Sequence, residues 1–151
     1  MFSNKAKVGF RIPLKLKLYL FMSKFYKPKN NITFSMDKAK DIRKGENLPI
    51  GPLKNFLNTQ GFNTDDLIVK QFPSGYSNLT YFLSTNNNEY VLRRPPFGAD
   101  SLKGGHDMSR EYKVLSKLKS EFKKVPNVHL YTEDKSIIGA PFYIMDCVKG
   151  Y

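Results

Sequence analysis

The sequence predicts an α+β fold: an antiparallel sheet with one packed helix, preceded by a short helix. Three observations predict it. From Gln71 to Arg94 two apolar stretches flank the turn-forming run Thr85 to Glu89, which reads as an antiparallel hairpin. From His106 to Phe122, the residues Met108, Leu115, Leu118 and Phe122 fall along one helical face at spacings of three and four. Phe142-Tyr143-Ile144-Met145 is a further short apolar strand.

Taken in order, the chain of 151 residues has room for one small domain and a tail, with 40% hydrophobic and 14% aromatic residues for a modest core. The net charge of +12 is unevenly placed: residues 1–36 hold seven Lys, Arg11 and no acid, a balance of +8. Residues 37–151 hold 17 basic and 13 acidic side chains, leaving +4. The basicity therefore belongs to the tail. Its apolar run Leu14 to Met22 is broken by Lys15 and Lys17, too short and too charged for a membrane span. No small-residue cleavage site follows, and Leu14-Lys15-Leu16-Lys17-Leu18 alternates with period two, unlike a helical presequence. The expectation is that residues 1–36 are a disordered or non-native basic tail, with Met36 as the natural start, and that residues 37–151 are the folded lobe. One cysteine, Cys147, excludes an internal disulfide and suits a reducing compartment such as the cytoplasm.

Asp41 to Leu48 reads as an extended lead-in, after which Pro49-Ile50-Gly51-Pro52 opens a helix near Leu53. Leu53, Phe56 and Leu57 form its apolar face and Gly61 ends it, while Leu67-Ile68-Val69 begins the first strand. The turn Pro73 to Asn78 is small and polar and can bring backbone N–H groups close to an anion. In the hairpin, Tyr81 and Leu83 alternate with Thr80 and Phe82, and Val91 shares a face with Arg93. Pro95-Pro96 ends that strand, and Phe97 to Gly105 forms a glycine-bearing, mobile loop.

Glu111 lies within the apolar stripe of the long helix, where a carboxylate is costly unless a cation meets it. Arg93 is one candidate; Arg110 or a neighbouring Lys in solvent is the other. His106 reads as a cap or packing residue, and His129, in the strand Val125 to Tyr131, as structural. Ile137-Ile138-Gly139-Ala140 reads as a turn. An anion loop, a strand cation and a helix carboxylate that orients it are the parts of a nucleotide-binding half of a kinase-like fold.

The wording of the sequence carries a resemblance as well. Gln71-Phe72, Gly75, Ser77 to Tyr81, Tyr90 to Gly98, His106 to Tyr112 and Ile138 to Met145 together resemble the aminoglycoside phosphotransferase and choline kinase-like family. The nearest branch resembles the kinase-like domain of acyl-CoA dehydrogenase family members ten and eleven. The resemblance covers roughly Asp41 to Tyr151 and keeps motif order. It implies the N-terminal lobe of a protein kinase-like fold that binds ATP, with Mg expected in the full-length parent. Phosphoryl transfer would be to a small-molecule hydroxyl. By that resemblance Ser74, Gly75, Ser77 and Asn78 belong to the phosphate loop, and Arg93 stands where protein kinases carry a strand lysine. Glu111 is its helix partner, Val91 packs on the base, and Met145, Asp146, Cys147 and Val148 form the hinge whose backbone meets adenine.

Family catalysis needs an aspartate in a His-Gly-Asp-like loop and a metal-binding aspartate, both in a larger C-terminal lobe. The sequence stops at Tyr151, after the hinge, and His106-Asp107 and Glu133-Asp134 precede the hinge and cannot substitute. The expectation is therefore a lobe with no catalytic or metal-binding residue of its own, inactive alone. It should also expose apolar surface that the missing lobe or self-association covers. A different class of function is a non-enzymatic basic binding protein. Lys24, Phe25, Tyr26, Lys27 and Lys29 interleave charge and aromatic rings as contacts to nucleic acid or acidic membrane would.

Overall fold

The computed structural model describes residues 38–73, 77–85, 88–99 and 107–149. The basic tail, Ser74, Gly75, the hairpin tip at 86–87, most of the glycine-bearing loop and His106 lie outside them. In chain order the elements are α1 (Ile50–Thr59), β1 (Ile68–Gln71), β2 (Leu79–Ser84), β3 (Glu89–Arg94), α2 (Met108–Glu121), β4 (Val128–Thr132), α3 (Lys135–Ile138) and β5 (Phe142–Asp146). The strands form one antiparallel sheet in the order β1-β2-β3-β5-β4, with the expected hairpin as β2 and β3. Among the described residues no helix is long and apolar enough to cross a membrane.

Strand alternation divides the sheet into two faces. One face carries Leu79, Tyr81, Leu83, Leu92, Phe142 and Ile144, all buried and packed against Leu53 and Leu57 of α1 and Ile137 and Ile138 of α3. The other face carries Val91, Arg93, Tyr143 and Met145, and α2 lies against it. Central strand β3 is covered on both faces, so Val91 and Leu92 are both buried rather than alternating in exposure.

The lead-in is more than an extended arm. Lys40 and Gln71 exchange backbone hydrogen bonds of 2.8 Å in each direction. The chain then turns at Gly45, whose φ of 86° is in the left-handed region that glycine occupies without strain. Buried Gln71 accepts from the Arg43 N–H at 2.9 Å and donates to the Glu46 carboxylate. Helix α1 begins after Pro49, and Gly61 closes it with φ 83° as Phe62 N–H reaches back to Leu57 O at 3.0 Å.

Helix α2 is capped by Asp107, whose carboxylate accepts from Arg110 N–H, and α3 by Asp134, which accepts from Ser136 N–H. Both acidic pairs that precede the hinge thus include a helix cap. The expected stripe on α2 is corrected at its end: Phe122 lies outside the helix and is 55% exposed, and Leu115 and Leu118 are only half-buried. The N-terminal half of α2 meets the sheet through Met108, Glu111 and Tyr112, while Leu115 and Leu118 farther along are less deeply covered. Val114 is exposed there, as are Phe97 and Val148 elsewhere. The turn expected at Ile137 to Ala140 is a short helix that buries both isoleucines, with Gly139 (φ 79°) ending it.

Arg94 was not expected inside, yet it is 1% exposed. It faces the core side of β3, because Arg93 before it faces the other way. Its Nη1 donates to Ile138 O at 2.9 Å, its Nε to Pro95 O at 3.0 Å, and its guanidinium lies 3.8 Å over the Phe97 ring. Arg94→Met should lower stability by about 1–3 kcal/mol, because the buried Ile138 carbonyl loses its donor. Leu53→Ala should cost about 2–5 kcal/mol by leaving a cavity under the sheet. Urea unfolding measures both, and wild-type midpoints would contradict these packing roles.

Candidate functional site

Four side chains from four elements meet on the α2 face of the sheet. Glu111, in the first turn of α2, extends toward β3, and its Oε2 stands 3.2 Å from Arg93 Nε. Its Oε1 accepts from Asn78 Nδ2 at 2.7 Å, and its Oε2 also accepts from the Tyr143 hydroxyl at 2.9 Å. The solvent-side alternative for Glu111 is therefore set aside: its cation is Arg93. The Arg93–Glu111 contact has the distance of an ion pair but not the angle of a hydrogen bond. The buried Nε–H of Arg93 has no aligned acceptor among the described residues. The two side chains are 29% and 35% exposed, so the pair is open to solvent on one side.

Asn78 is buried, with its amide turned toward Glu111, whereas Ser77 is exposed. Val91 and Met145 are paired across β3 and β5 on this same face; Val91 is 7% exposed and Met145 half-buried. Tyr143 is the member of the site that sequence reasoning passed over as one more apolar strand residue. Its signal was the hydroxyl in the run Phe-Tyr-Ile-Met, but only the register Arg93↔Tyr143 places that hydroxyl beside the cation. Burial pushes the Tyr143 hydroxyl well up, and the nearby Glu111 carboxylate adds to this while Arg93 opposes it. It therefore stays protonated and donates.

The residues expected to form the hinge lie at the end of β5 and just after it. Asp146 N–H donates to Asn127 O at 2.9 Å and Cys147 N–H to Glu89 O at 3.2 Å. Val148 is 60% exposed, and no described residue accepts from its N–H. The Asp146 carboxylate is held by Asn127 N–H at 2.9 Å, Asn127 Nδ2 at 2.8 Å and the His129 ring at 2.5 Å. A β-bulge between Val128 and Leu130 turns His129 toward the core face, edge-on to Tyr90 and Phe62. Burial raises the Asp146 carboxyl, but the hydrogen bonds from His129 and Asn127 outweigh it and hold the group below its ordinary 3.8. Burial and the Glu89 carboxylate push the Cys147 thiol up, against a smaller opposite effect of Lys149.

A protein-family model described as "Phosphotransferase enzyme family" matches residues 68–151. The chain belongs to that family. Similar proteins include rat acyl-CoA dehydrogenase family member 11, 42% identical over 106 residues, which are 67% of this chain and 14% of the rat protein. Mouse acyl-CoA dehydrogenase family member 10 is 37% identical over 98 residues, 65% of this chain and 9% of that one. A crystal structure from Ralstonia eutropha, assigned as an aminoglycoside phosphotransferase, superposes with a TM-score of 0.57 at 34% identity. The superposition covers 70% of this chain and 29% of the other. The sheet and its helices are thus the N-terminal lobe of a kinase-like phosphotransferase fold, and the chain spans a small part of the relatives' length.

Among the described residues no three His, Cys, Asp or Glu side chains come together as metal ligands.

The Asp146 cluster gives a pH dependence with a definite sign. A depressed folded pKa stabilises the fold above the ordinary value of 3.8, and that contribution is lost as pH falls through the lower folded value. Asp146→Asn should therefore flatten the acid limb of the stability curve, read as the urea midpoint between about pH 6 and pH 2. An acid limb as steep as wild type would show that the carboxylate is not held as described.

Proposed function

We propose that this lobe binds ATP and serves a phosphotransferase that moves the γ-phosphoryl group to a hydroxyl of a small molecule. The observation that carries this reading is Arg93. It sits on the central strand beside Glu111, with its side chain 29% exposed on the open side of the pair. Enzymes of phosphoryl transfer work mainly by positioning and by neutralising phosphate charge. Arginine suits that task because its planar fork meets two phosphate oxygens at once, where lysine offers a point charge.

The hinge supports the adenine end of the same reading. With the N–H groups of Asp146 and Cys147 committed to Asn127 and Glu89, Val148 offers the donor for a base edge. Val91 and Met145 lie on the face where the base would rest. Ser74, Gly75 and Ser77 are assigned to the phosphate loop by resemblance. Magnesium, the acceptor hydroxyl and catalysis belong to the whole enzyme. A compartment that keeps Cys147 reduced, the cytoplasm, fits this assignment.

Calorimetric titration of the chain with ATP and with adenosine tests the reading. Arg93→Ala should weaken ATP binding about tenfold or more while leaving adenosine binding within about twofold, because only phosphate loses its partner. Arg93→Lys should fall between the two. Equal ATP affinity in Arg93→Ala and wild type would remove Arg93 from the nucleotide site.

A further inference from the structure

We infer that His129 is a positioning residue for the adenine end of the site, acting through the carboxylate of Asp146 to fix the backbone that leads to Val148. The adenine consequence rests on the reading of Met145 to Val148 as the base-binding hinge; the grip on the backbone does not.

The geometry is a closed set of bonds where β5 ends. Asp146 N–H donates to Asn127 O at 2.9 Å. In return the Asp146 carboxylate accepts from Asn127 N–H at 2.9 Å, from Asn127 Nδ2 at 2.8 Å and from the His129 ring at 2.5 Å. An ionised carboxylate only accepts, so His129 Nε2 carries the proton between them. Burial disfavours the charge, yet the bonds from His129 and Asn127 hold the Asp146 carboxyl below its ordinary range, so it remains an acceptor at neutral pH. The imidazole is also held in place: Tyr90 lies edge-on to it at 5.4 Å and Phe62 at 6.4 Å between ring centroids.

From the other neighbouring strand, Glu89 O on β3 accepts from Cys147 N–H at 3.2 Å. The chain is thus gripped from both sides of β5, and only φ and ψ of Cys147 separate that grip from the Val148 N–H. Strand ends fray readily where backbone bonds stand alone in water. The side-chain donors on Asp146 counter that fraying at an end where Val148 is 60% exposed.

Amide exchange and calorimetric titration of the whole chain test this. In His129→Ala, checked for a native amide spectrum, the Cys147 N–H should exchange about tenfold faster, the loss expected of one hydrogen bond to a charged group. Adenosine and ATP should both bind about threefold to tenfold more weakly, while inorganic triphosphate, which has no base, should bind as it does to wild type. Asn127→Ala removes another side-chain donor from the same carboxylate and should move each readout in the same direction. A role in stability alone would lower the urea midpoint of both variants and leave the affinities of the folded protein unchanged. Wild-type exchange at Cys147 in both variants overturns the inference. Adenosine affinity equal to wild type, or a matching loss of triphosphate affinity, overturns the adenine role. If wild type binds no adenosine, faster Cys147 exchange upholds the grip and removes the hinge reading alone.

Discussion

The carboxylate of Glu111 is the point at which helix and sheet are joined. Taking an ionised group partly out of water costs several kcal/mol unless donors replace the lost hydration. Asn78, just before β2, and Tyr143 on β5 supply those donors, and Arg93 on β3 supplies the opposite charge. This matters more here than it would under a well-buried helix. Only Met108 of α2 is fully buried, and Val114 stands in solvent. With so little apolar burial, the polar junction and the stacking of Tyr112 on Tyr131, at 5.0 Å between centroids, decide where α2 sits.

Two adjacent arginines show how strand geometry assigns opposite roles to the same side chain. Arg94 turns into the core, where backbone carbonyls and the Phe97 ring meet it, and it ties the end of β3 to α3. Arg93 turns to the α2 face, where it meets one carboxylate and open solvent. The first guanidinium is tied to backbone carbonyls and serves the fold; the second meets a carboxylate and stays partly open to solvent.

The segment after β5 follows from the same accounting of backbone donors. Every backbone N–H must find an acceptor or face water. Asn127 and Glu89 accept from Asp146 and Cys147, so backbone pairing continues one residue past the end of β5, and Val148 is then exposed. His129 and Asn127 fix Asp146 from the side, which ties the end of β5 to the edge strand β4 and the residue before it.

Much was determined by the amino-acid order alone. The hairpin, the helix beginning near Met108, the apolar strand of β5 and the pairing candidates Arg93 and Glu111 all follow from local periodicity and turn chemistry, which act over a few residues. Period two also implies that Arg93 and Arg94 point to opposite faces. It does not say which face is the core. That was decided by where α1 and α3 pack, far away in sequence. The same limit hid Tyr143, whose hydroxyl acquires a role only through its register opposite Arg93, and His129, which a β-bulge turns toward Asp146. The outward face of α2 was misread at Phe122 because helical spacing shows which residues share a stripe, not how far along the helix the sheet extends to cover it. Local sequence determined the elements and the chemistry available to each. Tertiary packing decided which donor reaches which acceptor, because strand register and face coverage are set by contacts between distant segments.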